Sequence, residues 1–124
     1  MMAFDWIKYL TLARELVARN EEEFLRSAVS RAYYAAYNLA LAYCNTNNIQ
    51  ILHNHGSHED LWDAFLRQGD LILDIVQAKG DRLRIRRTKA DYHATVSGLV
   101  SMAEQSLQDS HDILRSLGYD SPPA

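Results

Sequence analysis

Both prolines of this 124-residue chain stand at its end, Pro122 and Pro123, so no earlier residue lacks a backbone donor or clashes with a helical turn. The apolar residues ahead of them recur at helical spacing. Trp6, Leu10, Ala13 and Val17 fall 4, 3 and 4 apart, one stripe on a helix of about four turns, with Tyr9 and Leu16 beside it. Asn20 reads as the cap of a second helix, and Glu21-Glu22-Glu23 suit the positive end of its dipole. That helix carries Leu25, Ala28, Ala32, Ala36, Leu39 and Tyr43 and is expected to end in Asn45-Thr46-Asn47-Asn48. Residues 49–57 read as a loop. Ser57 and Asp60 form an approximate capping box for a short third helix with Leu61, Trp62, Phe65 and Leu66, closed by Gln68-Gly69-Asp70. A fourth, also short, starts near Leu71 and uses Ile72, Ile75 and Val76, with Gly80 as a break. The last shows Val96, Leu99, Ala103, Leu107, Ser110, Leu114 and Leu117, and Gly118 closes it.

No strand pattern or repeat competes. The expected fold class is all-α: an antiparallel, up-and-down bundle of four to five helices, in one domain over residues 1–118 with a loose tail over 119–124. An apolar fraction of 48% and a charged fraction of 23% fit a globular domain and argue against disorder. No apolar run reaches the ~18–20 residues of a membrane helix, and the first residues read as no secretory leader, so no membrane association is expected. Cys44, the single cysteine, has no internal partner, which fits a reducing, cytoplasmic setting. Exposed Tyr and Trp on the first two helices would favour a homodimer.

The net charge of −3 hides an asymmetry. Residues 79–93 (KGDRLRIRRTKADYH) hold six of the 13 Lys and Arg against two acids. Such a concentration attracts anions even on an acidic protein, although a solvated helix face has the same composition.

Three segments carry a resemblance. The second helix contains Ser30-Arg31-Ala32-Tyr33-Tyr34-Ala35-Ala36-Tyr37, a helix then opens at His58 and reaches Phe65, and Leu83-x-x-Arg86-Arg87-Thr88-Lys89-Ala90-Asp91-Tyr92 follows. In this order, and over nearly the whole chain, they resemble the HEPN domain family (higher eukaryotes and prokaryotes nucleotide-binding), as a small stand-alone prokaryotic member. The resemblance implies a HEPN-like bundle. In active members it also implies a metal-independent endoribonuclease whose Arg-x4–6-His motifs meet across a homodimer, and Arg87-Thr-Lys-Ala-Asp-Tyr-His93 supplies that motif. It further implies RNA as substrate, no cofactor, and an antitoxin or nucleotidyltransferase as partner in a toxin–antitoxin or defence pair. The family also contains inactive members, so a nucleotide-binding or nucleotidyltransferase-docking module is the alternative.

The chemistry suits those two residues. An imidazole with an ordinary pKa of about 6.5 moves protons at neutral pH. A guanidinium grips a phosphate through two parallel hydrogen bonds and stabilises charge built up in the transition state. Residues six apart on an ideal helix differ by about 240° in direction, so Arg87 and His93 converge only through a bend, a helix end or a second copy.

Arg82, Arg84, Arg86 and Lys89 would grip the RNA backbone, or else pair with Asp70 and Asp74 or face water. Asp91 would orient His93 or an arginine, or hold the helix junction beside Tyr92. Arg31, on a tyrosine-rich helix, is expected to pair with an acid of a neighbouring helix or to line the cleft. Tyr33, Tyr34 and Tyr37 read as core and interface. His53-x-His55-x-x-His58 matches no standard zinc spacing, so no metal is expected, and His58 reads as helping to start the third helix.

Overall fold

Alanine decides which helix lies at the centre. In the computed structural model, which describes residues 3–119, α1 (Ile7–Arg19) is followed by α2 (Glu22–Thr46), whose Ala28, Ala32, Ala35, Ala36 and Ala40 are all buried. Side chains this small let neighbouring helices approach on several sides. α2 accordingly packs against α1 and against α3 (Ser57–Leu66), α4 (Leu71–Tyr92) and α5 (Leu99–Ser116). At one close approach the Ser110 hydroxyl of α5 donates to the Ala32 carbonyl at 2.7 Å. The described residues form an all-α bundle of five helices with no strand. None of its helices is long and apolar enough to cross a membrane.

Tyr33, Leu61, Trp62, Phe65, Leu83, Ile113 and Leu114 fill the core between these helices. Each large apolar side chain removed from water stabilises the fold by about 1.5–3 kcal/mol.

Local structure departs from the sequence expectations at the helix starts. Asn20 does not cap α2; it closes α1 in the left-handed conformation (φ 56°), and its N–H donates to the Val17 carbonyl. Glu21 is the extended residue before α2, while Glu22 and Glu23 occupy the first turn, as the dipole favours. The expected capping box is also different. Gly56 is the N-cap of α3, and the Asp60 carboxylate reaches back to the Asn54 and His55 amides at 3.3 and 3.0 Å, tying the loop to the helix. α4 does begin at Leu71, with Asp70 accepting from the Ile72 and Leu73 amides.

Gly80 is not a break. α4 runs through it for 22 residues, so the fourth helix is long and α1, with 13, is among the shorter ones. The glycine serves packing: a Cβ at Gly80 would lie 2.2 Å from Cε3 of the buried Trp62 ring. α5 starts at Leu99, after Val96, and Gly118 follows it with φ 85° as expected of a helix stop. Tyr119 packs on the core and donates from its hydroxyl to the Leu39 carbonyl at 3.2 Å. The remainder of the expected loose tail, 120–124, lies outside the described residues.

The expected exposure of aromatics on α1 and α2 is also redistributed. Trp6, Tyr9, Tyr34, Tyr37 and Tyr43 are partly buried against the core, and the exposed large apolar side chains include Leu71, Ile72 and Ile75 of α4.

Candidate functional site

The seat at Gly80 lays the start of α3 across α4. Positions 84, 87, 88 and 91 follow residue 80 at i+4, i+7, i+8 and i+11, and therefore share its face of the helix. Between the two helices opens a cleft of about 350 Å³ lined by Ser57, His58 and Glu59 of α3 and Arg84, Arg87 and Thr88 of α4.

Arg87 is the most constrained of these side chains. Its Nε donates to Asp91 Oδ2 at 3.0 Å, and a terminal nitrogen donates to the Tyr92 hydroxyl at 3.3 Å. The guanidinium carbon lies 5.3 Å from the centre of the Tyr34 ring and 5.4 Å from that of Tyr92. Electron-rich ring faces at these distances hold a cation. Asp91 also accepts from the Ser30 hydroxyl at 3.3 Å, so α2 and α4 are joined through the same carboxylate that aims Arg87. The side chain is only 13% exposed. It is an oriented cation at the cleft wall.

Arg84 stands one turn earlier, bonded to Asp81 at 2.9 and 3.1 Å and 3.6 Å from Glu59 across the cleft mouth. His58 forms the opposite wall. Its Nδ1 is 2.7 Å from the Tyr33 hydroxyl, which accepts a 3.3 Å hydrogen bond from Trp62 Nε1, and its ring lies 4.7 Å from that of Tyr37. Burial, then the nearby charges of Arg87 and Arg84, hold the imidazole below its ordinary pKa. Burial likewise pushes the Tyr33 phenol up, so it stays protonated. The first turn of α3 adds the positive end of a helix dipole to the same cleft.

His93 lies elsewhere. It is the C-cap of α4, extended at φ −89° and ψ 129°, and it lines a separate cleft of about 220 Å³ with Lys89, Thr95, Val96, Ser97 and Met102. Within one chain Arg87 and His93 thus belong to different depressions. Arg26 of α2 fixes this turn: it donates to the carbonyls of Ala90, His93 and Ala94 at 2.9, 2.6 and 3.0 Å, satisfying acceptors that a helix end leaves open. Sequence reasoning gave Arg26 no part, because only the fold brings residue 26 to residue 93.

The basic segment divides by helix face. Arg82 and Arg86 turn to α5, where both bind Asp109, at 3.2 and 2.7 Å, and Lys79 binds Asp112 at 2.7 Å. Their partners are thus acids of α5 and not Asp70 or Asp74, since Asp70 is occupied as the α4 cap. Lys89 is exposed beside His93.

Arg31 stacks its guanidinium 4.8 Å over the Tyr9 ring, and among the described residues it forms no ion pair. A single aromatic ring of α1, Tyr9, stands where an acid was expected. Two of the three histidines part company: His53 of the loop lines an apolar groove with Tyr37, Leu41, Ile49, Ile51 and Leu61, whereas His58 of α3 enters the tyrosine cluster. Among the described residues no group of three or more His, Cys, Asp or Glu is placed to hold a metal ion. His58 is the cleft residue that sequence reasoning assigned only to helix initiation. Its partner Tyr33 lies 25 positions away, beyond any local period.

No family model, curated protein or solved structure matches the chain.

Proposed function

We propose that the chain is a HEPN-like domain that binds the phosphodiester backbone of RNA at the Arg87 cleft and cleaves it without metal, as the toxin of a toxin–antitoxin or defence pair. The observation that carries this reading is the setting of Arg87: an aimed guanidinium, flanked by tyrosine rings, beside Arg84 and His58 in an open cleft. Charge favours a diester. Three carboxylates, Asp81, Asp91 and Glu59, outnumber the two guanidinium groups, so a singly charged phosphodiester is repelled less than a doubly charged terminal phosphate.

In the proposed reaction the RNA 2′-oxygen attacks phosphorus and the bond to the 5′-oxygen breaks, leaving a 2′,3′-cyclic phosphate and a 5′-hydroxyl. Arg87 holds the phosphate oxygens and His93 moves the proton. Because Arg87 and His93 line separate depressions of one chain, the reaction needs a second copy to bring a His93 to the Arg87 cleft. The same separation favours the second reading, a HEPN-type module that binds nucleotide or docks a nucleotidyltransferase without cutting.

Incubation of purified protein with a mixed RNA pool in EDTA separates the two. Cleavage that persists under chelation and disappears in Arg87→Ala and in His93→Ala supports the nuclease. RNA bound but left intact supports the module, and cleavage indifferent to both substitutions refutes the assigned site.

A further inference from the structure

Hydrogen-bond accounting around Tyr33 reaches into the cleft. The Tyr33 side chain is fully buried, so its hydroxyl proton needs an acceptor. Trp62 Nε1 can only donate, and it does so to the phenolic oxygen at 3.3 Å. The remaining neighbour is His58 Nδ1 at 2.7 Å, and among the described residues no buried side-chain polar atom lacks a partner. Tyr33 therefore donates to His58, and Nδ1 carries no proton. A neutral imidazole then bears its one proton on Nε2, the nitrogen turned away from Tyr33, which has no hydrogen-bond partner among the described residues.

We infer that His58 is a phosphodiester-contacting residue of the α3–α4 cleft, its Nε2–H presented as a donor by a relay that runs from Trp62 through Tyr33. This rests on the proposed binding of an RNA backbone at Arg87 and adds a second wall to it. Arg84 and Arg87 of α4 approach the phosphate from one side and His58 of α3 from the other. Burial first, then the charges of Arg87 and Arg84 on α4, keep the ring neutral, and the rings of Tyr33, Tyr34 and Tyr37 pack against it from α2. Glu59, the next residue, is drawn to Arg84. A donor that is neutral before the ligand arrives adds recognition of an anion without adding a third fixed cation. Tyr33 is thereby a positioning residue, and its buried hydroxyl sets the tautomer of a group it does not share with the ligand.

The test is long-range proton–nitrogen NMR of the histidine rings in the intact protein. The expected result is one neutral tautomer of His58, with Nδ1 unprotonated, and the appearance of the Nδ1-protonated form in Tyr33→Phe. A 2′-deoxy dinucleoside monophosphate, a phosphodiester that lacks the nucleophile for cleavage, serves as the ligand probe. Its addition is expected to shift His58 Nε2 and Arg87 Nε together, and His58→Phe, which has no donor, is expected to weaken its binding about tenfold, the loss of a hydrogen bond to a charged group. A protonated Nδ1 in the free wild type overturns the inference. So does a His58 ring that stays silent while Arg87 Nε shifts, and in that case the Arg87 reading survives alone. A saturating probe that shifts neither residue overturns both.

Discussion

Gly80→Ala separates two opposed accounts of α4. If Gly80 were a weak point in the helix, alanine would stabilise the chain by about 1 kcal/mol through helix propensity. The packing gives the other sign. The new methyl would lie 2.2, 2.3 and 2.6 Å from three atoms of the Trp62 ring, well inside contact distance. That ring is fully buried and stacks at 6.0 Å on Phe65, so it has no open space to enter. Overpacking a tight core costs about 1–3 kcal/mol, and three sub-contact distances place this case at the upper end. Subtracting the propensity gain leaves a net loss of about 2 kcal/mol, or a fall of roughly 8 °C in Tm for a domain of this size. Urea and thermal unfolding followed by far-UV circular dichroism measure both. A displaced Trp62 also moves the donor of Tyr33, so the altered ring should appear as a changed tryptophan emission. An alanine variant as stable as wild type, or more so, would refute the seat of α3 on α4.

The other expectations concern charge. Asp109 is 7% exposed and accepts from both Arg82 and Arg86, so Asp109→Ala should destabilise by about 1–3 kcal/mol, read as a lower urea midpoint at unchanged slope. Arg82→Gln should cost no more than about 1 kcal/mol, because that side chain is 52% exposed, and should leave any binding at the proposed Arg87 cleft unchanged, because it faces α5. His58 gives stability a pH dependence of definite sign. Its folded pKa is lowered by burial and then by Arg87 and Arg84, so the unfolded chain takes up a proton that the folded one resists. Stability is full above the ordinary histidine value of about 6.5 and declines as pH falls from there toward the lower folded value. Urea midpoints of wild type and His58→Gln between pH 7.5 and 5.5 (about one unit either side of the ordinary value) should diverge, the variant falling less.

What could be read in advance was whatever depends on neighbours in sequence. Spacings of 3 and 4 located all five helices, the fourth only as far as Gly80, and Gly118 marked the end of the last. The segment 79–93 was recognisable as basic, and Arg87 within it does line an open cleft. What failed depended on contacts between distant segments. Gly80 has the same local signature whether it breaks a helix or seats a tryptophan, and only Trp62, 18 positions earlier, decides. Asp109 claims Arg82 and Arg86 because α5 packs on α4, a pairing that no pattern within residues 79–93 reveals. His58 does stand in the first turn of α3, and its place in the cleft stayed hidden because its partner, Tyr33, is on another helix. Arg31 was expected beside an acid, and an aromatic ring met it instead.

A structure of the protein with a short RNA whose 2′-hydroxyl at the contacted step is replaced by hydrogen tests the central claim most directly. The account predicts a phosphodiester between α3 and α4, its oxygens about 2.7–3.2 Å from the Arg87 guanidinium and from His58 Nε2, with a His93 brought in by a second copy. RNA seated on any other surface, with the Arg87 cleft empty, would contradict it.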